Sequence, residues 1–175
     1  MKHTPISRRD FLKNLGIAGA GTLLAASPWL SAFSEVVETS GEKCRLAIIG
    51  PGSRGRFLMS FLVQNPKVEI VALCDIYQPS IEKALELAPK AKVYDDYREI
   101  LEDKTVDAVL VATPLNSHCQ IVLDAFDAGK HVFCEKSIGF TMEECFRIYN
   151  KHISTEKVFF TGQQRLFDPR YIKAM

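Results

Sequence analysis

The sequence lacks a charge excess of the kind that marks nucleic-acid-binding proteins. Its 175 residues carry 22 Lys and Arg against 21 Asp and Glu, a formal net charge of +1. Residues 1–34 hold four basic side chains and one acidic one, which leaves a net charge of about −2 for the rest of the chain. A basic surface is the electrostatic requirement for binding nucleic acid. We therefore expect no nucleic-acid partner.

The sequence also lacks paired cysteine motifs. The number of cysteines is odd, five, and no C-x-x-C occurs. Most of them fall in apolar segments, at Cys44, Cys74, Cys119, Cys134 and Cys145. Free thiols in such segments behave as small buried hydrophobes. We predict neither a disulfide framework nor a metal site.

No apolar run is long enough for a bilayer-spanning helix, which needs ~20 apolar residues. The longest, Leu15 to Ala26, is interrupted by glycines and follows the basic run Ser7-Arg8-Arg9-Asp10-Phe11-Leu12-Lys13. This run resembles the twin-arginine export signal, S-R-R-x-F-L-K. The resemblance implies that residues 1–34 are a signal peptide, that the export machinery is a partner, and that the protein is periplasmic or otherwise exported. The alternative is an amphipathic N-terminal helix with two chance arginines.

A glycine-spaced loop after an apolar strand is the strongest signal in the chain. Gly50, Gly52 and Gly55 fit G-x-G-x-x-G directly after Leu46 to Ile49. The pattern is typical of dinucleotide binding: the first glycine permits a tight turn, the second leaves room for the pyrophosphate, and the third lets the next helix pack on the strand. The loop residues Ser53 and Arg54 are therefore also candidate cofactor-binding residues. The helix, predicted over 55–64, would point its N-terminus at the phosphates.

An acidic residue completes this motif. Asp75 ends a second predicted strand, 68–74, and stands 20 residues beyond Gly55. A carboxylate at that place accepts the ribose hydroxyls of NAD and repels the 2′-phosphate of NADP. We predict NAD as the cofactor in preference to NADP. The alternative is a glycine turn and an acidic surface residue without a ligand.

Strands and helices alternate through the remainder, which predicts an α/β fold with a doubly wound parallel sheet, a Rossmann NAD(P)-binding domain over residues 44–162. Further strands are expected at 93–94, 108–112, 131–135 and 158–161. We expect Asn116 or Ser117 to cap one helix and Thr141 to begin another as a capping box. The inner face of the first helix is expected to include Phe57 and Leu58. Residues 163–175 are interpreted as the start of a truncated substrate domain.

Three short motifs stand at predicted strand ends, where ligands bind in open parallel sheets. They are Thr113-Pro114-Leu115-Asn116-Ser117-His118, then Glu135-Lys136-Ser137, then Gly162-Gln163-Gln164-Arg165. Together with the glycine loop and Asp75 they resemble the Gfo/Idh/MocA oxidoreductases, with their T-P-N-x-x-H, E-K-P and G-x-x-x-R-F-x-P-x-Y patterns. The resemblance covers about residues 44–175.

The resemblance implies roles for these residues. Lys136 would be catalytic, beside the substrate hydroxyl near the nicotinamide, and its neighbour Glu135 belongs to the same pair. The cofactor would also be contacted by residues of the other two motifs: Thr113, Pro114, Asn116, His118, Gln164 and Arg165. A structural role for His118 and a surface ion pair of Glu135 with Lys136 remain alternatives. Ser137 departs from the family, which has proline there.

The implied function is NAD-dependent oxidoreduction of a sugar or cyclic polyol, by a homo-oligomer if the protein is full length. The family's second, α+β domain, with its acid/base group, is missing from these 175 residues. We therefore expect cofactor binding without full catalysis from this chain alone. Two alternatives stay open: an NAD-dependent glycoside hydrolase acting by transient oxidation, and a noncatalytic NAD-binding module.

Overall fold

The computed structural model describes residues 43–163 together with Arg170 and Lys173. The strands are β1 (Cys44–Ile49), β2 (Val68–Cys74), β3 (Lys92–Tyr94), β4 (Ala108–Val111), β5 (His131–Cys134) and β6 (Phe159–Thr161). The helices are α1 (Ser53–Leu62), α2 (Gln78–Leu85), α3 (Tyr97–Glu102), α4 (Leu115–Asp127) and α5 (Met142–Ile153). The predicted leader, residues 1–34, lies outside the described residues.

The six strands form one sheet in the order β3-β2-β1-β4-β5-β6. Every neighbouring pair is parallel. This is the order of a dinucleotide-binding sheet, in which the strand sequence reverses between β1 and β4 and opens a crevice at that point. The predicted α/β fold with a doubly wound parallel sheet is confirmed.

Helices cover both faces of the sheet because the central strands are apolar on both sides. One face packs on α1 and α2 through Leu58, Met59, Leu62, Ile81 and Ala84. The other packs on α3, α4 and α5 through residues that include Ile100, Val122, Phe126 and Ile148. The expected inner face of α1 was partly wrong: Leu58 is buried, but Phe57 is 53% exposed, and Met59 occupies the core instead.

Two helix starts also differ from the sequence-based expectation. Helix α1 begins at Ser53, two residues before the predicted Gly55, with Gly52 as its N-cap residue. Helix α4 begins at Leu115 with Pro114 in the N-cap position, so neither Asn116 nor Ser117 caps it. Proline provides a fixed backbone angle suited to a helix start but no side-chain acceptor. The Thr141 capping box of α5 is present as predicted.

All five cysteines are free thiols, and four of them are buried. Burial raises the pKa of the Cys44 and Cys134 thiols to about 12. A thiol with so high a pKa is a poor nucleophile and metal ligand. Across the described residues no three potential ligand side chains are grouped for a metal ion, and no helix is long and apolar enough to cross a membrane.

Candidate cofactor-binding site

The carboxyl ends of the parallel strands bring most of the predicted site residues to one edge of the sheet. Gly50 follows β1, Asp75 follows β2, and Thr113 lies two residues beyond β4. Glu135 follows β5 and Gly162 follows β6. Residues far apart in the chain therefore meet along this edge.

A side chain would collide with the protein at two glycines of the loop, Gly50 and Gly55, but would find open space at Gly52. Gly50 has φ +85°, and a Cβ there would lie 2.7 Å from the Thr113 nitrogen. A Cβ on Gly55 would lie 2.5 Å from the Gly50 carbonyl oxygen. A Cβ on Gly52, in contrast, would meet nothing within 4 Å. The first and third glycines are thus required by the protein's own packing, whereas Gly52 borders a space that a ligand can enter.

The open space adjoins the N-terminus of α1. The Arg56 N–H donates to the Gly52 carbonyl at 2.9 Å, as the first bond of the helix. The N–H groups before it, including those of Ser53 and Arg54, have no acceptor within the helix. Free N–H groups and the positive end of the helix dipole favour an anion, so the loop fits a pyrophosphate group.

Asp75 lies beside this loop because the Gly50 N–H donates to the Cys74 carbonyl at 2.8 Å. Its Oδ1 atom accepts the Tyr77 N–H at 2.9 Å, which fixes the side chain at the strand end. The carboxylate has further acceptor capacity, since an ionised carboxylate has about four lone-pair sites. It can therefore accept hydroxyl donors from a ribose.

The Thr113 loop is held by a buried histidine. His118 is 2% exposed. Its Nε2 atom lies 2.8 Å from the Thr113 carbonyl oxygen, and its Nδ1 atom lies 2.7 Å from the Ser137 carbonyl oxygen. Carbonyl oxygens only accept, so a ring nitrogen that carries a hydrogen donates to the carbonyl beside it. His118 thus joins two loops of the site through their backbone carbonyl groups.

Glu135 forms an ion pair with a residue of the glycine loop. Its Oε1 atom accepts the Arg54 Nε–H at 2.7 Å, and its Oε2 atom accepts the Lys136 backbone N–H at 3.2 Å. Its side chain is 6% exposed, whereas that of Arg54 is 36% exposed. The Arg54 guanidinium also lies over the Phe57 ring, 5.2 Å from its centroid. The pair thus connects the start of α1 to the end of β5 and orders both loops.

Lys136 and Asn116 are exposed at this edge, on the loop after β5 and the first turn of α4. The Lys136–Ser137 peptide bond is cis. Pro114 is also exposed. Gln164 and Arg165 lie outside the described residues, so their predicted roles stay predictions.

The sequence analysis did not predict that Gly162 and Ile76 would contribute to this site. A Cβ on Gly162 would lie 2.8–2.9 Å from the carboxyl atoms of Glu135, so this glycine leaves room for the buried carboxylate. Ile76 is 100% exposed directly after Asp75, an apolar side chain next to the candidate ribose ligand. An apolar residue following the acidic strand end was visible in the sequence. The Gly162 contact was not, because it joins two different strands.

The strand order, the glycine loop and the acidic strand end define an NAD-binding Rossmann domain of an oxidoreductase. Residues 44–163 match the sequence model of the family described as "Oxidoreductase family, NAD-binding Rossmann fold". The chain belongs to this family, the Gfo/Idh/MocA oxidoreductases. The predicted family membership and cofactor class are therefore confirmed.

Known relatives include proteins named for two different reactions. A "Glycosyl hydrolase family 109 protein" of Stenotrophomonas maltophilia is 33% identical over 86% of this chain and 34% of its own length. An "Alpha-N-acetylgalactosaminidase" of Shewanella oneidensis is 31% identical over 87% of this chain and 38% of its own length. A solved myo-inositol dehydrogenase of Lactobacillus casei, in complex with NAD(H) and myo-inositol, has a TM-score of 0.71 and is 33% identical over 75% of this chain. This chain covers 40% of that structure, and so spans well under half the length of these relatives.

Proposed function

We propose that this chain is the NAD-binding part of an exported oxidoreductase that acts on a sugar or cyclic polyol. The open space at Gly52, at the N-terminus of α1, carries the proposal together with Asp75 at the end of the neighbouring strand. It combines anion-binding N–H groups with a carboxylate for the ribose. The myo-inositol dehydrogenase with bound NAD(H) supports this cofactor and substrate class.

NAD supplies a nicotinamide carbon that accepts or returns a hydride, and the protein residues position the substrate and move its proton. Lys136 is the candidate for moving the substrate proton. Its ammonium stands on an exposed loop at the carboxyl edge, where it can polarise a substrate oxygen as a carbonyl forms. The Arg54–Glu135 pair and His118 hold the two ends of this loop, at Glu135 and Ser137.

Cofactor preference is the direct test of the site. We expect the protein to bind NAD(H) more tightly than NADP(H), because Asp75 repels a 2′-phosphate and no basic residue follows it in Asp75-Ile76-Tyr77-Gln78. Asp75→Ser should narrow the difference by raising the relative affinity for NADP(H). Binding of both cofactors can be measured by calorimetry, with Glu156→Ser, a change of an exposed acidic residue in the loop that precedes β6, as the control. Tighter binding of NADP(H) by the unaltered protein would contradict the assignment.

A second candidate function is glycoside cleavage by transient oxidation, with no net redox change. The glycosidase names of the Stenotrophomonas and Shewanella relatives favour it. Both reactions use the same cofactor half of the fold, so Gly52 and Lys136 would serve either one. The two differ in what becomes of the reduced cofactor: a dehydrogenase releases it, and a transient oxidation consumes it again.

The experiment that separates them uses this domain in a protein that also carries a substrate domain of the family. It should be incubated with NAD and, in parallel, with a free polyol such as myo-inositol and a chromogenic N-acetylgalactosaminide. Growth of the NADH absorbance in proportion to product supports the dehydrogenase. Release of the chromophore at NAD concentrations far below that of the substrate, without accumulation of NADH, supports the glycosidase. If neither NADH nor the chromophore forms with either substrate class, the result favours a noncatalytic NAD-binding module.

A further inference from the structure

Arg56, in helix α1, holds the glycine loop to which the proposed function assigns the cofactor's pyrophosphate. Its Nη1 atom donates to the Pro51 carbonyl oxygen at 2.8 Å, and its backbone N–H donates to the Gly52 carbonyl oxygen at 2.9 Å. One residue of α1 thus binds two successive carbonyl groups of the loop. Arg56 is half-buried, and no carboxylate of the described residues forms an ion pair with it.

These two hydrogen bonds determine where the N–H groups of the loop point. A trans peptide unit is planar, so its carbonyl and N–H groups point in opposite directions. The Pro51–Gly52 and Gly52–Ser53 peptide units are trans. Because Arg56 binds the Pro51 carbonyl, the Gly52 N–H is directed away from the arginine. The bond to the Gly52 carbonyl directs the Ser53 N–H in the same manner.

The N–H groups directed in this way are free to bind a ligand. Within the described residues no hydrogen bond uses the N–H groups of Gly52, Ser53 or Arg54. Because Pro51 has no N–H group, the Gly52 N–H is the first of these donors. The space beside Gly52 is open. A phosphate group accepts hydrogen bonds and is repelled by carbonyl oxygens, so its affinity for the loop depends on which of the two groups faces it.

We propose that Arg56 is a positioning residue for the cofactor's pyrophosphate. By holding the Pro51 carbonyl, it keeps the Gly52 N–H turned towards the space that the phosphates enter. The inference rests on the proposed function, because it takes the ligand of this loop to be a dinucleotide. Arg54 differs from Arg56 in that its guanidinium is paired with the buried Glu135 carboxylate at 2.7 Å.

Fragments of the cofactor separate this role from a general effect on the fold. Arg56→Ala should raise the dissociation constants of NAD(H) and ADP-ribose, which contain the pyrophosphate, by about tenfold or more, the equivalent of one hydrogen bond to a charged group. The dissociation constant of adenosine, which has no phosphate, should not change. Arg56→Lys keeps a donor and should recover part of the affinity. Arg147→Ala removes an exposed guanidinium from α5, on the other face of the sheet, and is the control. Calorimetry measures all four, and cooperative unfolding shows that each variant is folded.

Ionic strength separates positioning from simple attraction by charge. The screening length falls from about 10 Å at 0.1 M salt to about 3 Å at 1 M, so a loss caused only by the missing charge shrinks at high salt. A loss caused by misdirected N–H groups persists, and we expect the Arg56→Ala effect on ADP-ribose to be as large at high salt as at low salt. An effect that disappears at high salt, an equal loss of adenosine binding, or an unchanged affinity for NAD(H) would overturn the inference and leave the proposed function standing. An unaltered protein that binds neither NAD(H) nor NADP(H) would overturn both.

Discussion

Gly162→Ala should destabilise the protein through a residue 27 positions away, Glu135. The added Cβ would lie 2.8–2.9 Å from three carboxyl atoms of Glu135, whereas ordinary contacts of this kind are 3.4–4 Å long. The carboxylate cannot simply retreat. It is 6% exposed and is held at 2.7 Å by the Arg54 Nε–H on another side. Either Glu135 shifts and loses this bond, or the backbone after β6 moves.

The size of the effect follows from these two outcomes. Overpacking in a buried site costs about 1–3 kcal/mol, and a hydrogen bond to a charged group contributes about 1.5–3 kcal/mol. The partial exposure of Arg54 reduces the second figure, because solvent screens the pair. We expect a loss of about 2–3 kcal/mol in the free energy of unfolding. With a urea dependence of about 1–3 kcal/mol per molar, the midpoint should fall by about 0.7–3 M.

Gly52→Ala is the matched control, because its Cβ meets nothing within 4 Å and its backbone angle, φ −62°, suits alanine. It should lower the urea midpoint less than Gly162→Ala does, because alanine in place of glycine at a helix N-cap costs only about 0.5–1 kcal/mol, yet it should weaken NAD binding by filling the space next to the phosphates. The Gly162→Ala change should also cost less than about 0.5 kcal/mol when Glu135 is already alanine, since the two residues then no longer collide. An equal cost in both backgrounds would refute the explanation. So would a midpoint that Gly162→Ala does not move.

Three further predictions concern catalysis, export and pH. In a protein that joins this domain to a substrate domain of the family, Lys136→Ala should lower kcat by ~10²-fold or more if the lysine transfers a proton, while NAD affinity changes little. Near-normal turnover in steady-state assays would return Lys136 to a surface role. Replacing Arg8 and Arg9 with lysine should leave the protein in the cytoplasm on cell fractionation, in a host with the twin-arginine route; undiminished export would indicate the general secretory route. Burial, and then a hydrogen bond to a carboxylate, raise the pKa of Tyr97 from 10 to about 12. The stabilisation linked to its phenol is therefore complete below about pH 10 and is lost as the pH rises towards 12. The free energy of unfolding measured across that range should show a decline that Tyr97→Phe reduces, with ultraviolet titration reporting the phenol itself.

The local sequence determined the strands, the sheet class and the glycine loop. Apolar runs such as Ala108–Val111 are buried on both faces, so their continuity identified them as strands of a parallel sheet. Gly50 and Gly55 were recognisable because their spacing follows from local backbone geometry. The side of a helix that faces the core was harder to predict from the sequence. Phe57 and Met59 are both apolar, and only the start of α1 at Ser53 and its packing on the sheet decided which one faces the core.

The tertiary structure alone decided how the site is held together. Arg54 and Glu135 are 81 residues apart and each stood in its own motif, with nothing in the sequence to pair them. The sequence also left the role of His118 open between cofactor binding and packing, and only the fold brings its two ring nitrogens within 2.8 Å of the carbonyl oxygens of two separate loops. A single sequence records which residue types occur and their spacing, and these govern interactions within a few turns of chain. Which strand ends become neighbours is set by the crossovers of the whole sheet, and so the contacts at its carboxyl edge emerge only when the chain is folded.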